Sequence, residues 1–267
     1  MEGIADYEFV RSLGDGNHGE FFLAKTPARL PVEAELVAVK VLSGSTTQEV
    51  FRRATRELAA FAAVRSEYLV TLYDAGQQGG VFYYSMEYLP GGSLAEPEEY
   101  ILDEPATLRA VAHAARAAHA LHEAGIVHRD IKPGNVLLHP GGGKLSDLGL
   151  SQVLAPGMTL TGMGSLGSIE FVDPDVLHGE PPSRASDVYS LGVTLHYALT
   201  RQGLHGELPD HDPVLALRKV LSSPPSIAPG LDEDLADIVR WTIAPDRAER
   251  PASALALAER LESFVAA

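Results

Sequence analysis

A chain of 267 residues, 45% hydrophobic and 21% charged, has the balance of a globular protein with room for one large domain or two lobes sharing a cleft. Its formal charge of −15 argues against nonspecific binding to a nucleic-acid backbone, which needs clustered Lys and Arg, and no uninterrupted apolar run reaches the length of a membrane span. The lack of cysteine excludes disulfides and thiolate metal sites, and the acidic start Glu2-Gly3-Ile4-Ala5-Asp6 carries no signal-peptide pattern, so a cytoplasmic location is expected.

The acidic excess reads as a solvated surface rather than as attraction to a basic substrate. Arginine outnumbers lysine 16 to 5, a compositional hint of a GC-rich bacterial genome. From the N-terminus, Phe9 to Leu13, Phe21 to Lys25, Leu36 to Leu42, Val70 to Tyr73 and Val81 to Tyr88 are β-branched or aromatic runs broken by Gly and Pro, which predicts strands. One helix is expected from Thr47 to Val64, with Val50, Ala54, Phe61 and Val64 on one face and the charged Glu57 on the same stripe. After Pro90-Gly91-Gly92 the pattern turns helical. An alanine-rich helix is expected from Pro105 to Ala124, capped by Gly125, and others near Arg184 to Leu199, Pro213 to Leu221, Leu231 to Ile243 and Ala252 to Val265. Between Val127 and Ser146, two short strands flank the turn His139-Pro140-Gly141-Gly142-Gly143. The plan is α+β, a strand-rich lobe followed by a helical one, with a cleft near residues 87 to 92.

Gly14-Asp15-Gly16-Asn17-His18-Gly19 fits G-x-G-x-x-G but runs into a strand, not a helix, so it is either an ordinary turn or a hairpin folded over nucleotide phosphates. Lys40 ends Val37-Ala38-Val39-Lys40, and strand alternation puts it on the face of Ala38 and Leu42. A lysine snorkelling from an edge would explain it equally well. A pair with Glu57 would instead explain both charges and hold the ammonium near phosphate oxygens.

The most informative segment is Val127-His128-Arg129-Asp130-Ile131-Lys132-Pro133-Gly134-Asn135. Phosphoryl transfer to a hydroxyl asks for an acceptor that orients it, a cation beside the moving group and oxygen ligands for Mg²⁺. Asp130, Lys132 and Asn135 supply these three. Twelve residues on, Ser146-Asp147-Leu148-Gly149 adds a carboxylate suited to the metal.

With these motifs in place, the chain resembles the eukaryotic-type protein kinases, most of all the bacterial Ser/Thr kinases, over nearly its whole length. The resemblance implies a bilobal protein-kinase-like fold over 1–267, with an N-lobe of 1–88 and a C-lobe of 89–267. It implies ATP and Mg²⁺ as cofactors, with Mn²⁺ as an alternative ion, and protein substrates of unstated identity. Gly14, Gly16 and Gly19 would cover ATP, and Lys40 would contact its α- and β-phosphates while paired with Glu57. Asp130 would be the catalytic base, and Asn135 and Asp147 would hold the metal. Met86 matches the gatekeeper, the backbone of Glu87 and Leu89 would bond adenine, Ala38 and Leu137 would sandwich it, and Phe21 stands above it in place of the usual valine. Lys132 is the Ser/Thr form, and Ser168 matches the substrate-loop hydroxyl. Thr159 and Thr161 lie in the activation segment, with Arg129 the partner of a phosphorylated residue there. Asp187 would brace the catalytic loop, and Asp175 would pair with a buried Arg250.

Leu148, Asp175 and Tyr189 also depart from the family's usual Phe, Glu and Trp. None of the departures removes a group that does chemistry. The rival reading is a pseudokinase, a nucleotide-binding scaffold acting through protein contacts, whose usual mark is loss of Lys40, Asp130 or Asp147. A dimer formed for autophosphorylation stays open. His113, His119 and His122 share one helix at spacings that assemble no metal site, so they read as surface or packing residues.

Overall fold

The computed structural model describes residues 2–16, 19–44, 46–97, 102–147, 166–209 and 212–265. These divide into two compact units. One holds residues 2–63 and 70–88, and the other holds residues 64–69, 89–147 and 166–265.

The first unit is a six-stranded antiparallel sheet in the order β1-β2-β3-β4-β6-β5. Its strands are β1 (Gly3–Ile4), β2 (Tyr7–Gly16), β3 (Gly19–Lys25), β4 (Leu36–Leu42), β5 (Leu72–Gln78) and β6 (Val81–Glu87). Alternation along β4 sorts its side chains. Val37, Val39 and Val41 join Phe22, Ala24, Tyr83, Ile4 and Tyr7 in one apolar cluster, while Ala38, Lys40 and Leu42 take the opposite face. Phe9 stacks on Phe22 with ring centroids 4.1 Å apart, closing that cluster. The strand expected at Val70 to Tyr73 instead runs from Leu72 to Gln78. It pairs with Val81 to Met86 of β6, which overrides the low strand propensity of Asp74, Gly76, Gln77 and Gln78.

Helix α1 (Gln48–Ala63) buries Ala54, Leu58 and Phe61, and Phe51 meets Phe82 of β6 edge-on at 5.5 Å. Residues 51, 54, 58 and 61 form a stripe turned by roughly 60° from the one expected through Val50 and Val64, at 100° per residue. Glu57 therefore sits on the flank of the helix rather than on its buried stripe.

The second unit is mainly helical. Helix α2 (Glu104–Glu123) starts at Asp103, whose carboxylate accepts the Ala106 amide at 2.8 Å. Six buried alanines along it let neighbouring elements approach closely, namely the hairpin β7 (Val136–His139) and β8 (Gly142–Leu145), and helices α4 (Arg184–Thr200) and α7 (Ala254–Val265). Gly143 of β8 shows how close: a Cβ there would lie 3.0 Å from the Ala110 carbonyl oxygen. Arg116 of α2 clamps Glu262 of α7 at 2.5 and 2.6 Å. The remaining helices are α3 (Pro174–Leu177), α5 (Pro213–Ser222) and α6 (Glu233–Thr242), with 3₁₀ turns at Pro133–Asn135, Leu166–Phe171 and Arg247–Glu249. Among the described residues no helix is long and apolar enough to cross a membrane.

Helix α4 crosses α6 at Gly192, where a Cβ would fall 1.9 Å from Thr242 Oγ1 and 3.2 Å from Ile243 Cγ2. Gly192→Ala should therefore lower stability by about 1–3 kcal/mol through overpacking, despite alanine's better helix propensity. Urea unfolding measures this, and a variant as stable as the parent would contradict the close crossing.

Candidate active site

In the first unit the glycine motif closes the β2–β3 hairpin, with Gly14 opposite Phe21 and Gly16 opposite Gly19. Asn17 and His18 lie outside the described residues. The glycines serve different ends. Gly14 has φ +107°, which side chains other than glycine rarely tolerate, and at Gly19 a Cβ would lie 2.3 Å from the Val41 carbonyl oxygen. Phe21 folds over Gly16, and the Lys40 ammonium lies 4.7 Å from the centroid of its ring. An aromatic in place of the family's valine thus gives the lysine a cation–π neighbour.

Lys40 is 5% exposed and opposite Tyr84 on β6, while Ala38 is opposite Met86, both buried. The Glu87 amide donates to the Thr71 carbonyl at 2.8 Å, so for adenine this residue's backbone can offer its carbonyl but not its N–H. Glu57 makes no ion pair with Lys40, contrary to expectation, because the turned α1 stripe leaves Glu57 at the edge of the buried face.

In the second unit the catalytic-loop residues converge. Asn135 donates its amide hydrogens to the Asp130 carbonyl oxygen at 2.6 Å and to Asp130 Oδ2 at 3.0 Å. Lys132 Nζ lies 3.2 Å from Asp130 Oδ1 and donates to Ser168 Oγ, also at 3.2 Å. One carboxylate is thereby fixed from two sides, and the lysine that fixes it also reaches the 3₁₀ turn Leu166–Phe171.

The loop backbone is strained at Arg129, φ +72°, and Asp187 of α4 holds it there. Asp187 accepts the amides of His128 at 2.8 Å and Arg129 at 2.9 Å. A third donor is His122 Nε2 at 2.7 Å. The sequence read His122 only as a surface or packing residue, and its one signal was a position on α2 before the loop. His128 is fully buried, which pushes its pKa down and keeps it neutral. As a neutral ring it donates from Nε2 to the Ser146 carbonyl at 3.0 Å and accepts the Asp130 amide at Nδ1, 3.3 Å.

Ser146 in turn donates its amide (2.9 Å) and hydroxyl (3.2 Å) to the Asn135 carbonyl. This seats Asp147, 7% exposed with φ +62°, on backbone tied to Asn135. Because the Asn135 nitrogen is spent on Asp130, its Oδ1 is left as an oxygen ligand. An amide oxygen and a buried carboxylate are the hard donors Mg²⁺ prefers, so the residues fit that ion. No cluster of three or more His, Cys, Asp or Glu forms among the described residues.

Leu137, half-buried on β7, and Leu89 also belong to the second unit. Leu148, Thr159 and Thr161 lie outside the described residues, and the Arg129 side chain is exposed.

The expected Asp175–Arg250 pair is not formed. Arg250 instead takes Asp173, with Nη1–Oδ2 at 2.8 Å and Nη2–Oδ1 at 3.2 Å, both side chains sealed from solvent. The reason is helical geometry: Asp173 is the N-cap of α3, pointing back from the helix start toward the arginine. Asp175, one turn-position on and 42% exposed, pairs at 2.9 Å with Arg247, which also reaches Asp173 at 3.1 Å.

Three residues before Asp173 lies Glu170, 7% exposed and packed over Gly203, where a Cβ would meet Glu170 Oε2 at 2.3 Å. Burial alone pushes its pKa up to about 7.

A model of the protein kinase domain matches residues 7–261. The chain belongs to the protein kinase family. It is 33% identical to the serine/threonine-protein kinase PknK of Mycobacterium tuberculosis over 96% of this chain and 23% of that protein. It is 31% identical to the tyrosine-protein kinase MasK of Myxococcus xanthus over 99% of this chain and 44% of that protein. It thus spans less than half the length of either relative. The crystal structure of the M. tuberculosis PknI kinase domain superposes with a TM-score of 0.69 at 24% identity, covering 98% of this chain and 98% of that one. The fold is the bilobal protein kinase fold, with a β-rich lobe and a helical lobe.

Two measurements probe this geometry. Asp173→Ala strands a buried guanidinium and should cost about 3–5 kcal/mol, whereas Asp175→Ala at a solvent-facing pair should cost under about 1 kcal/mol; equal losses on urea unfolding would refute the pairing. For Glu170, the folded protein holds its proton up to about pH 7 while the unfolded chain releases it near 4.5. Its contribution to stability therefore falls as pH rises through that window. The stability of Glu170→Gln relative to the parent should rise by roughly 2.5 kcal/mol between pH 5 and pH 8, and a pH-independent difference would rule out the burial effect.

Proposed function

We propose that this chain is a serine/threonine protein kinase domain that moves the γ-phosphoryl group of ATP, with Mg²⁺ or Mn²⁺, to protein hydroxyls. The observation that carries the reading is the Asp130 carboxylate, held by Asn135 and Lys132 while Lys132 also reaches Ser168. In this reading Asp130 orients the acceptor hydroxyl and takes its proton as the oxygen–phosphorus bond forms and the bond to ADP breaks. Lys132 offsets charge on the moving group, and Ser168 places the substrate backbone beside it. The Lys132–Ser168 contact favours Ser or Thr over Tyr, a point on which the names of the two relatives differ.

Asn135 and Asp147 would hold the metal ion, whose chemistry is to neutralise phosphate charge. Gly14, Gly16 and Gly19 would cover the phosphates, and Lys40 would contact them. Phe21, Ala38, Met86, Glu87, Leu89 and Leu137 would surround adenine, with Glu87 contributing its carbonyl. Glu57 reaches Lys40 in this scheme only if α1 turns. Thr159 or Thr161 is the expected autophosphorylation site, with exposed Arg129 as the phosphate's partner. A cytoplasmic setting and protein substrates complete the reading.

Incubation with labelled ATP, Mg²⁺ and a basic protein, beside Asp130→Asn, is the test. Label on Ser or Thr should fall by at least ~10²-fold in the variant and vanish without divalent metal, with phosphopeptides mapping to Thr159 or Thr161. Nucleotide binding without transfer would favour the scaffold alternative, and label on Tyr would reverse the acceptor assignment.

A further inference from the structure

Phe21 fills more space than the valine it replaces, and the extra atoms lie in one direction. Strand β3 sets Phe21 opposite Gly14 of β2 and Lys40 of β4, on the face that also carries Ala38. Gly14 has no side chain, so the ring can lie across the hairpin toward Gly16. A Cβ on Gly16 would fall 2.4 Å from Phe21 Cε2, 3.0 Å from Cδ2 and 3.4 Å from Lys40 Cε. The ring is thus wedged beneath the hairpin, between the Gly16 backbone and the lysine stem.

Lys40 Nζ lies 4.7 Å from the ring centroid, and the residue is only 5% exposed. Little water screens the pair, which puts its cation–π attraction toward the strong end. A hairpin that cradles phosphates presents its amides on this side. An oxygen held by Lys40 would sit about 2.8 Å from the ammonium, and on the Gly16 side the ring already fills that space. Ala38, on the adenine wall, is two residues back along β4, about 7 Å away. The ring therefore obstructs the phosphates and not the base.

We propose that Phe21 is an internal competitor for the phosphate side of the nucleotide site, and that ATP binds only as its ring leaves Gly16 and Lys40. This rests on the protein kinase reading and adds to it the residue that sets selectivity between phosphorylated and unphosphorylated nucleosides. The affinity for ATP is lowered by the fraction of molecules in which the ring has moved aside.

The test is equilibrium binding of ATP with Mg²⁺, and separately of adenosine, to the parent, Phe21→Val and Phe21→Leu. Valine suits a strand and keeps the Cβ in place while removing the ring. Phe21→Val should tighten ATP about tenfold and leave adenosine within about twofold. Leucine retains more bulk without the π face, and should give a smaller gain of the same sign. The ratio of the two affinities separates competition for phosphate from general damage to the sheet, which would weaken both ligands. ATP affinity unchanged or weakened in both variants overturns the proposal, as does a gain shared equally by adenosine; either leaves the kinase reading intact. Absence of ATP binding in all three proteins overturns both.

Discussion

The carboxylate of Asp187 is 1% exposed, and burying such a charge without partners would cost several kcal/mol. Three donors offset that cost: the amides of His128 and Arg129, and the His122 ring. The same contacts fix three parts of the second unit to one point, namely the C-terminal end of α2, the catalytic loop and the first turn of α4. They also explain how Arg129 keeps a left-handed backbone that no glycine relieves. Since Asp130 and Lys132 follow directly, their carboxylate and ammonium inherit their placement from this anchor. The Arg184 guanidinium, bonded to the His122 carbonyl and to Glu123, ties α4 to the same end of α2.

From this anchor the order passes outward by hydrogen bonds between neighbours. His128 links the loop to Ser146, Ser146 links to Asn135, and Asn135 returns to Asp130. The circuit uses neutral groups at each internal link, so low dielectric strengthens it without leaving a charge exposed to desolvation. His128 belongs to it only as a neutral ring, which is what burial enforces. A metal-binding pair at Asn135 and Asp147 is thus a by-product of the same backbone ties that hold the base.

Much of this was legible in the sequence because local chemistry dictated it. Alternation placed Lys40 with Ala38 and Leu42, and the spacing from Asp130 to Asn135 and Asp147 gathered groups whose partners are near in the chain. The family resemblance supplied Asp187 and the kinase fold. The misreadings share a cause, namely partners distant in sequence. Arg250 chose Asp173 over Asp175 because α3 begins at Asp173, a cap whose direction only the folded backbone sets. His122 looked inert because its acceptor lies 65 residues away. The α1 face turned because Phe51 found Phe82, a contact no helical periodicity within α1 could reveal. Thr159 and Thr161 fall outside the described residues, so their role stays a reading of family pattern.

Asp173 and Glu170 show how differently the same short stretch treats two acids. Asp173 receives two arginines and the Asp175 amide, which is more neutralisation than one carboxylate needs. Glu170, three residues earlier and nearly as buried, receives none. A shortage of arginine is not the reason, because Arg247 divides itself between Asp173 and the half-exposed Asp175. Nor does packing demand the acid, since a glutamine of the same shape would fill the space over Gly203 without the cost of ionisation. Charge at Glu170 therefore opposes folding near neutral pH instead of aiding it.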